Sequence, residues 1–168
     1  MDTLFKNVWV VTVDEQMRVL ENASVRVQNG RITYVGTEPQ DETGARVIDG
    51  KGRKMLMPGF VNGHTHLPMV LFRSSADDLE LQTWLNTRIF PMEARLTPDS
   101  VECGAELALW EMARAGVTTI NDMYTQCRGL LPALEKVPLR ATLSMGLFGQ
   151  MDNAQAQLDD AIAFHNEA

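Results

Sequence analysis

Up to about residue 56 the apolar positions follow a period of two, as in short strands. "FKNVWVVTVD", from Phe5, alternates weakly. "ASVRVQNGRITYVGTE", from Ala23, is a strong hairpin pattern. Val25 and Val27 alternate with polar residues, Asn29-Gly30 supplies a tight turn, and Ile32 and Tyr34 resume the period. "ARVIDGKGRKMLMPGF" adds another strand or two. Residues 1–56 are therefore expected to form a small β-rich domain.

The texture changes near Pro58. "DDLELQTWLNTRIF" places Leu81, Trp84, Leu85 and Ile89 at helical spacing, with Asp77 and Glu80 as a capping-box-like start. "TPDSVECGAELALWEMARAG" is the clearest helix. Thr97 suits the N-cap, Pro98 the first turn and Gly116 the stop, and Val101, Ala105, Ala108, Leu109 and Met112 make one apolar stripe. "VTTINDMY" predicts a strand, "RGLLPALEKV" a helix and "LRATLSMGLFG" another strand. A last helix is expected in "DNAQAQLDDAIAFHNEA", with Asp152 and Gln155 at capping-box spacing.

Residues 57–168 thus alternate strand and helix, which predicts parallel strands and an α/β class. Three βα units do not close a barrel. A (β/α)8 barrel takes roughly 250 residues, and 111 remain from Pro58 to Ala168. The pattern leaves two expectations: a small open α/β domain, or the first part of a longer barrel. The unfinished last helix favours the second.

Composition narrows the function classes. The formal charge of −7, spread along the chain, argues against nucleic acid or an anionic membrane as partner. Charged residues among the first 20 give no signal-peptide pattern, and no apolar stretch approaches the ~20 residues of a membrane span. Two cysteines, Cys103 and Cys127, make no CxxC pair, so a reduced, cytoplasmic protein is expected. Ten methionines read as core filler.

The candidate chemistry lies in "PGFVNGHTHLP", which holds two of the three histidines. Residues i and i+2 of a strand share a side and lie about 6.6 Å apart along the chain. His64 and His66 can then converge on one ion at ~2.1 Å from each nitrogen. A bare His-x-His pair often binds nothing. The strand end, the apolar run before it, and Gly59 and Gly63 letting backbone come close all strengthen the metal reading.

These residues resemble the amidohydrolase superfamily: "PGFVNGHTH" looks like its first barrel strand with the HxH metal motif. "ADDLELQTWLNTRIFPMEARLTP" and "EMARAGVTTINDMY" extend the likeness towards 5-methylthioadenosine/S-adenosylhomocysteine deaminases and related chlorohydrolases, over about Lys51 to Phe148. The resemblance implies the front part of a (β/α)8 metal-dependent hydrolase barrel over 57–168, about three βα units, preceded by a β-sandwich segment. It implies a divalent metal, zinc or else iron, with His64 and His66 as the first two ligands. A metal-activated water would attack C6 of an adenosine-like nucleoside and release ammonia. The family's remaining ligands and its proton-shuttling glutamate have no counterpart here, and His165 matches none of them. No catalytic acid or base is expected within these residues, and little catalysis from them alone.

By the same resemblance, Glu93 matches a glutamate that binds the ribose hydroxyls, and Trp84 a tryptophan lining the pocket. Read from the residues alone, Glu93 is a solvated loop acid and Trp84 packs on Leu81 and Leu85. Asp122, at a strand end, reads as structural, and Arg73, Asp77 and Asp78 as loop and cap residues. Met145 stands where some members carry an arginine, which weakens the case for a carboxylate-tailed substrate. Three functions are weighed: a nucleoside deaminase, a triazine- or guanine-type hydrolase, and an inactive fragment joined by a complementing C-terminal part or a homo-oligomer partner. Glu93 favours the first.

Overall fold

The computed structural model describes residues 2–147 and 153–167. The chain divides into two compact units, Met1–Pro58 and Gly59–Ala168.

In the first unit, β1 (Asp2–Val11), β2 (Val19–Gln28), β3 (Arg31–Gly36), β4 (Arg46–Asp49) and β5 (Met55–Leu56) form one five-stranded sheet. The order is β3-β2-β1-β4, and β5 also pairs with β1, at Trp9 and Val10. The predicted hairpin joins β2 to β3 antiparallel. Asn29 (φ 51°) and Gly30 (φ 75°) are both left-handed, as the tightest two-residue hairpin turn requires. Val8, Val10, Ala23 and Val25 make the core of this unit. An apolar groove of about 420 Å³ is lined by Phe5, Val10, Val25, Val27, Ile32 and Val35, among others.

The apolar run leading to the histidines is not one strand. Met55 and Leu56 pair with β1, whereas β6 (Phe60–Thr65) belongs to the second unit's sheet. Pro58, which has no N–H for a strand ladder, lies between the two.

In the second unit β6, β7 (Val117–Tyr124) and β8 (Arg140–Met145) run parallel in that order. The connections are helical: α1 (Leu81–Trp84), a π turn (Leu85–Ile89), α2 (Phe90–Glu93), α3 (Pro98–Arg114), α4 (Leu131–Lys136) and, after β8, α5 (Ala154–Glu167). A 3-10 turn over Leu67–Phe72 directly follows the histidines. The class is mixed α/β.

α3 starts as its sequence predicts. The Thr97 side chain accepts the Ser100 N–H, and the Thr97 N–H donates to the Ser100 hydroxyl at 2.7 Å. Val101, Ala105, Ala108 and Leu109 are buried against Ile120, Tyr124, Cys127 and Leu130. A buried side chain such as Leu109 or Ile120 contributes about 1.5–3 kcal/mol. This packing anchors β7 from behind.

The preceding helix departs from expectation in two ways. Asp77 does not cap it: Glu80 is the N-cap and accepts the Thr83 N–H at 3.1 Å, while Asp78 is left-handed (φ 58°). The helix also widens into a π turn, with the Phe90 N–H bonding the Leu85 carbonyl, immediately before Pro91. Proline lacks the N–H that would continue the ordinary ladder, which favours the irregular turn. Leu81 is consequently exposed, and Ile89 carries the burial.

Arg73 is more than a loop residue: its guanidinium pairs with both Glu111 oxygens, at 3.0 and 2.6 Å. Arg128 ties α5 down through Asp160 and Glu167. The Asp152 cap expected for α5 lies outside the described residues. Methionine is core filler only in part, since Met69, Met112 and Met145 pack on the core while Met17, Met55 and Met57 are exposed. Cys103 and Cys127 are free thiols. Among the described residues no helix is long and apolar enough to cross a membrane.

Candidate metal centre

β6 is built to break its own ladder near its end. Its pairing with β7 shifts register between Asn62 and Thr65. Within that gap the Asn62 side-chain oxygen accepts the His64 N–H at 3.2 Å. Such irregularities re-aim side chains at strand ends. Gly59 sits against β7, because a Cβ there would come 2.2 Å from Thr118 Cγ2. Gly63 does not follow that expectation: a Cβ at this position would meet nothing within 4 Å.

Three consecutive residues of β7 then grip the histidine segment. The Asn121 amide donates to the Gly63 carbonyl at 3.2 Å. Asp122 Oδ2 accepts the Leu67 N–H at 2.7 Å. The Met123 carbonyl lies 2.6 Å from His66 Nδ1. A carbonyl can only accept, so Nδ1 carries the proton, and a neutral ring then leaves its lone pair on Nε2.

That free position points at its neighbour. His64 Nε2 and His66 Nε2 are 3.2 Å apart, with ring planes at 81°. Two nitrogens bound to one ion at ~2.1 Å lie about 3.0–3.4 Å apart for angles between square and tetrahedral. The residues therefore fit a divalent cation, with one imidazole oriented by a backbone carbonyl as metal-binding histidines commonly are. Among the described residues no group of three or more His, Cys, Asp or Glu side chains is arranged around one cation position.

Asp122 is fully buried. Burial is the largest influence on its carboxyl and pushes its pKa up to about 6, against the Leu67 N–H and the two imidazoles, which favour the charged form. Tyr124, two residues on, has a buried hydroxyl that meets no full hydrogen-bond geometry among the described residues, with the Glu93 carboxylate as its neighbour. Its pKa is raised first by burial and then by the negative charge of Glu93. Glu93, the half-buried last residue of α2, is thus brought beside the end of β7. Trp84 is half-buried at the end of α1 and, among the described residues, makes no ring contact with either imidazole. His165 lies in α5, away from the pair, lining a hollow with Leu134, Leu143 and Phe164.

Sequence reasoning missed Asn62, Asn121 and the Met123 carbonyl. A backbone oxygen leaves no mark on a sequence. The two asparagines carried a weak one, as polar residues inside otherwise β-branched strands.

Comparison with known proteins adds to this geometry. Residues 55–166 match the amidohydrolase family. The chain is 43% identical over 142 residues to the 5′-deoxyadenosine deaminase of Methanobrevibacter smithii, covering 83% of this chain and 32% of that protein. It is 40% identical over 163 residues to the 5-methylthioadenosine/S-adenosylhomocysteine deaminase of Symbiobacterium thermophilum, covering 93% and 37%. An adenosine deaminase from Xanthomonas campestris, solved with bound zinc, superposes with a TM-score of 0.77 at 30% identity, covering 99% of this chain and 39% of that one. The chain spans about a third of the length of the curated relatives it matches.

Proposed function

Because the chain belongs to the amidohydrolase family, we propose that it forms part of a metal-dependent hydrolase that deaminates an adenosine-like nucleoside. The observation that carries this reading is the 3.2 Å approach of two imidazole nitrogens at a strand end. The deaminases at 40–43% identity supply the substrate class. His64 and His66 would hold the cation, and zinc is favoured because the Xanthomonas campestris structure carries it. A cation there supplies Lewis-acid polarisation and lowers the pKa of water, the chemistry that replaces an amino group by oxygen at neutral pH.

The chain's own residues act around that centre. The Met123 carbonyl keeps the proton on His66 Nδ1 and so presents Nε2 to the cation. Glu93 accepts hydrogen bonds from the ribose diol, as a carboxylate with two acceptor oxygens is suited to do. Trp84 lies along the nucleoside. Further ligands and the proton-transferring group come from segments like those the relatives carry beyond the matched third. On this reading β6, β7 and β8 open a (β/α)8 barrel, and the five-stranded sheet of residues 1–56 is one layer of a sandwich.

Ammonia release from 5′-deoxyadenosine, methylthioadenosine and adenine, and chloride release from a chlorotriazine, measured on the protein containing this chain, test the proposal. Turnover of the nucleosides and not of the triazine is expected. Turnover of the triazine alone would overturn the substrate class.

A further inference from the structure

We propose that Asp122 is a positioning residue of the histidine site: its carboxylate clamps the turn that carries His66 and sets a buried negative charge behind a cation bound there. The inference rests on the reading that His64 and His66 take a divalent cation.

Asp122 is an expensive residue to bury. A carboxylate removed from water needs hydrogen bonds or a counter-charge. Asp122 is 0% exposed, yet only Oδ2 has a partner, the Leu67 N–H at 2.7 Å. Oδ1 is buried and, among the described residues, takes no hydrogen bond. The ionisable side chains that act on the carboxyl are those of His66 and His64, and no lysine or arginine is among them.

A purely structural clamp does not need this charge. An asparagine carboxamide has the same shape, accepts the same N–H and avoids the cost of a buried anion. The carboxylate makes sense where a cation is to sit on the adjacent imidazoles and offset it. Asp122 is not grouped with the two imidazoles around one cation position among the described residues. It acts through His66, one residue before the Leu67 N–H, while Met123, one residue after Asp122, fixes the ring of the same histidine. Two neighbouring residues of β7 therefore control both the backbone and the tautomer of one ligand.

Zinc affinity of the whole chain, measured by competition with a chromophoric chelator, tests this, together with cobalt(II) absorption spectra and thermal melting. Asp122→Asn keeps the acceptor for Leu67 and removes the charge. Its expected result is a fold at least as stable as wild type with zinc bound about 10-fold or more weakly, the scale of loss for groups behind metal ligands. Asp122→Ala removes the clamp as well, and should weaken zinc further and alter the cobalt spectrum. A folded Asp122→Asn chain that binds zinc within twofold of wild type overturns the proposal and leaves the metal reading standing. A wild-type chain that binds neither zinc nor cobalt overturns both.

Discussion

His66 Nδ1 and the Met123 carbonyl oxygen lie 2.6 Å apart, joining the end of β6 to the end of β7. This one contact decides which nitrogen of His66 is free. Its consequence is testable by substitution. His64→Ala and His66→Ala should each lower zinc affinity at least about 10-fold, since each removes one of two nearby donors. His165→Ala should leave it unchanged, and calorimetric titration of the three variants separates the outcomes. A loss in the His165 variant equal to the others would place the metal elsewhere.

Glu93 sits beside Tyr124 at the same strand ends. If it binds the ribose diol, Glu93→Ala should raise KM for nucleosides about 10- to 100-fold, from the ~1.5–3 kcal/mol of hydrogen bonds to a charged group. The free base adenine has no diol, so any turnover of it should be unaffected. Equal losses on both substrates would remove the ribose role.

The contact of Gly59 with Thr118 predicts a coupled pair. Gly59→Ala places a Cβ 2.2 Å from Thr118 Cγ2, so β6 and β7 must separate. Overpacking of this kind costs about 1–3 kcal/mol. The double variant with Thr118→Ala should regain much of the loss, because contacting residues couple and distant ones do not. Denaturant melts of the single and double variants give the coupling, and simple additivity would contradict the close approach.

Asp14 gives a prediction from charge. The hydrogen bond from Thr12 first, and that from Arg18 second, lower its pKa from 3.8 to about 2. A depressed carboxyl contributes stability that is present above pH 3.8 and lost as pH falls through 2. NMR titration should show that midpoint, and Thr12→Val should move it back towards 3.8 further than Arg18→Gln does. The reverse order would mean that the ion pair dominates.

Local rules made much of the fold legible. The Asn29-Gly30 turn, the Thr97 cap and the α3 stripe each follow from a few adjacent residues, and they stand where the pattern put them. Local rules fell short where a distant residue decides. Which sheet each part of the apolar run before the histidines joins is one such case: Met55 and Leu56 pair with β1, and Phe60 and Val61 with β7. Leu81 kept helical spacing yet lies exposed, because the π turn before Pro91 rotates the helix face. At the site, the histidines stood out by spacing. What aims them did not, because the Met123 carbonyl is backbone and the Asp122–Leu67 bond spans 55 positions. Its place in the sequence marks Asp122 as structural. It is so in its bond to Leu67, while its unpartnered oxygen is what a clamp alone leaves unexplained.

The central claim is that one cation joins His64 to His66. The chain has three histidines, so proton–nitrogen correlation spectra of its imidazoles can be read individually. Before metal is added, His66 should appear as the tautomer protonated at Nδ1. On titration with zinc, the Nε2 resonances of His64 and His66 should shift together while His165 stays still. Zinc that leaves both Nε2 resonances unmoved, or a His66 protonated at Nε2, would contradict the account.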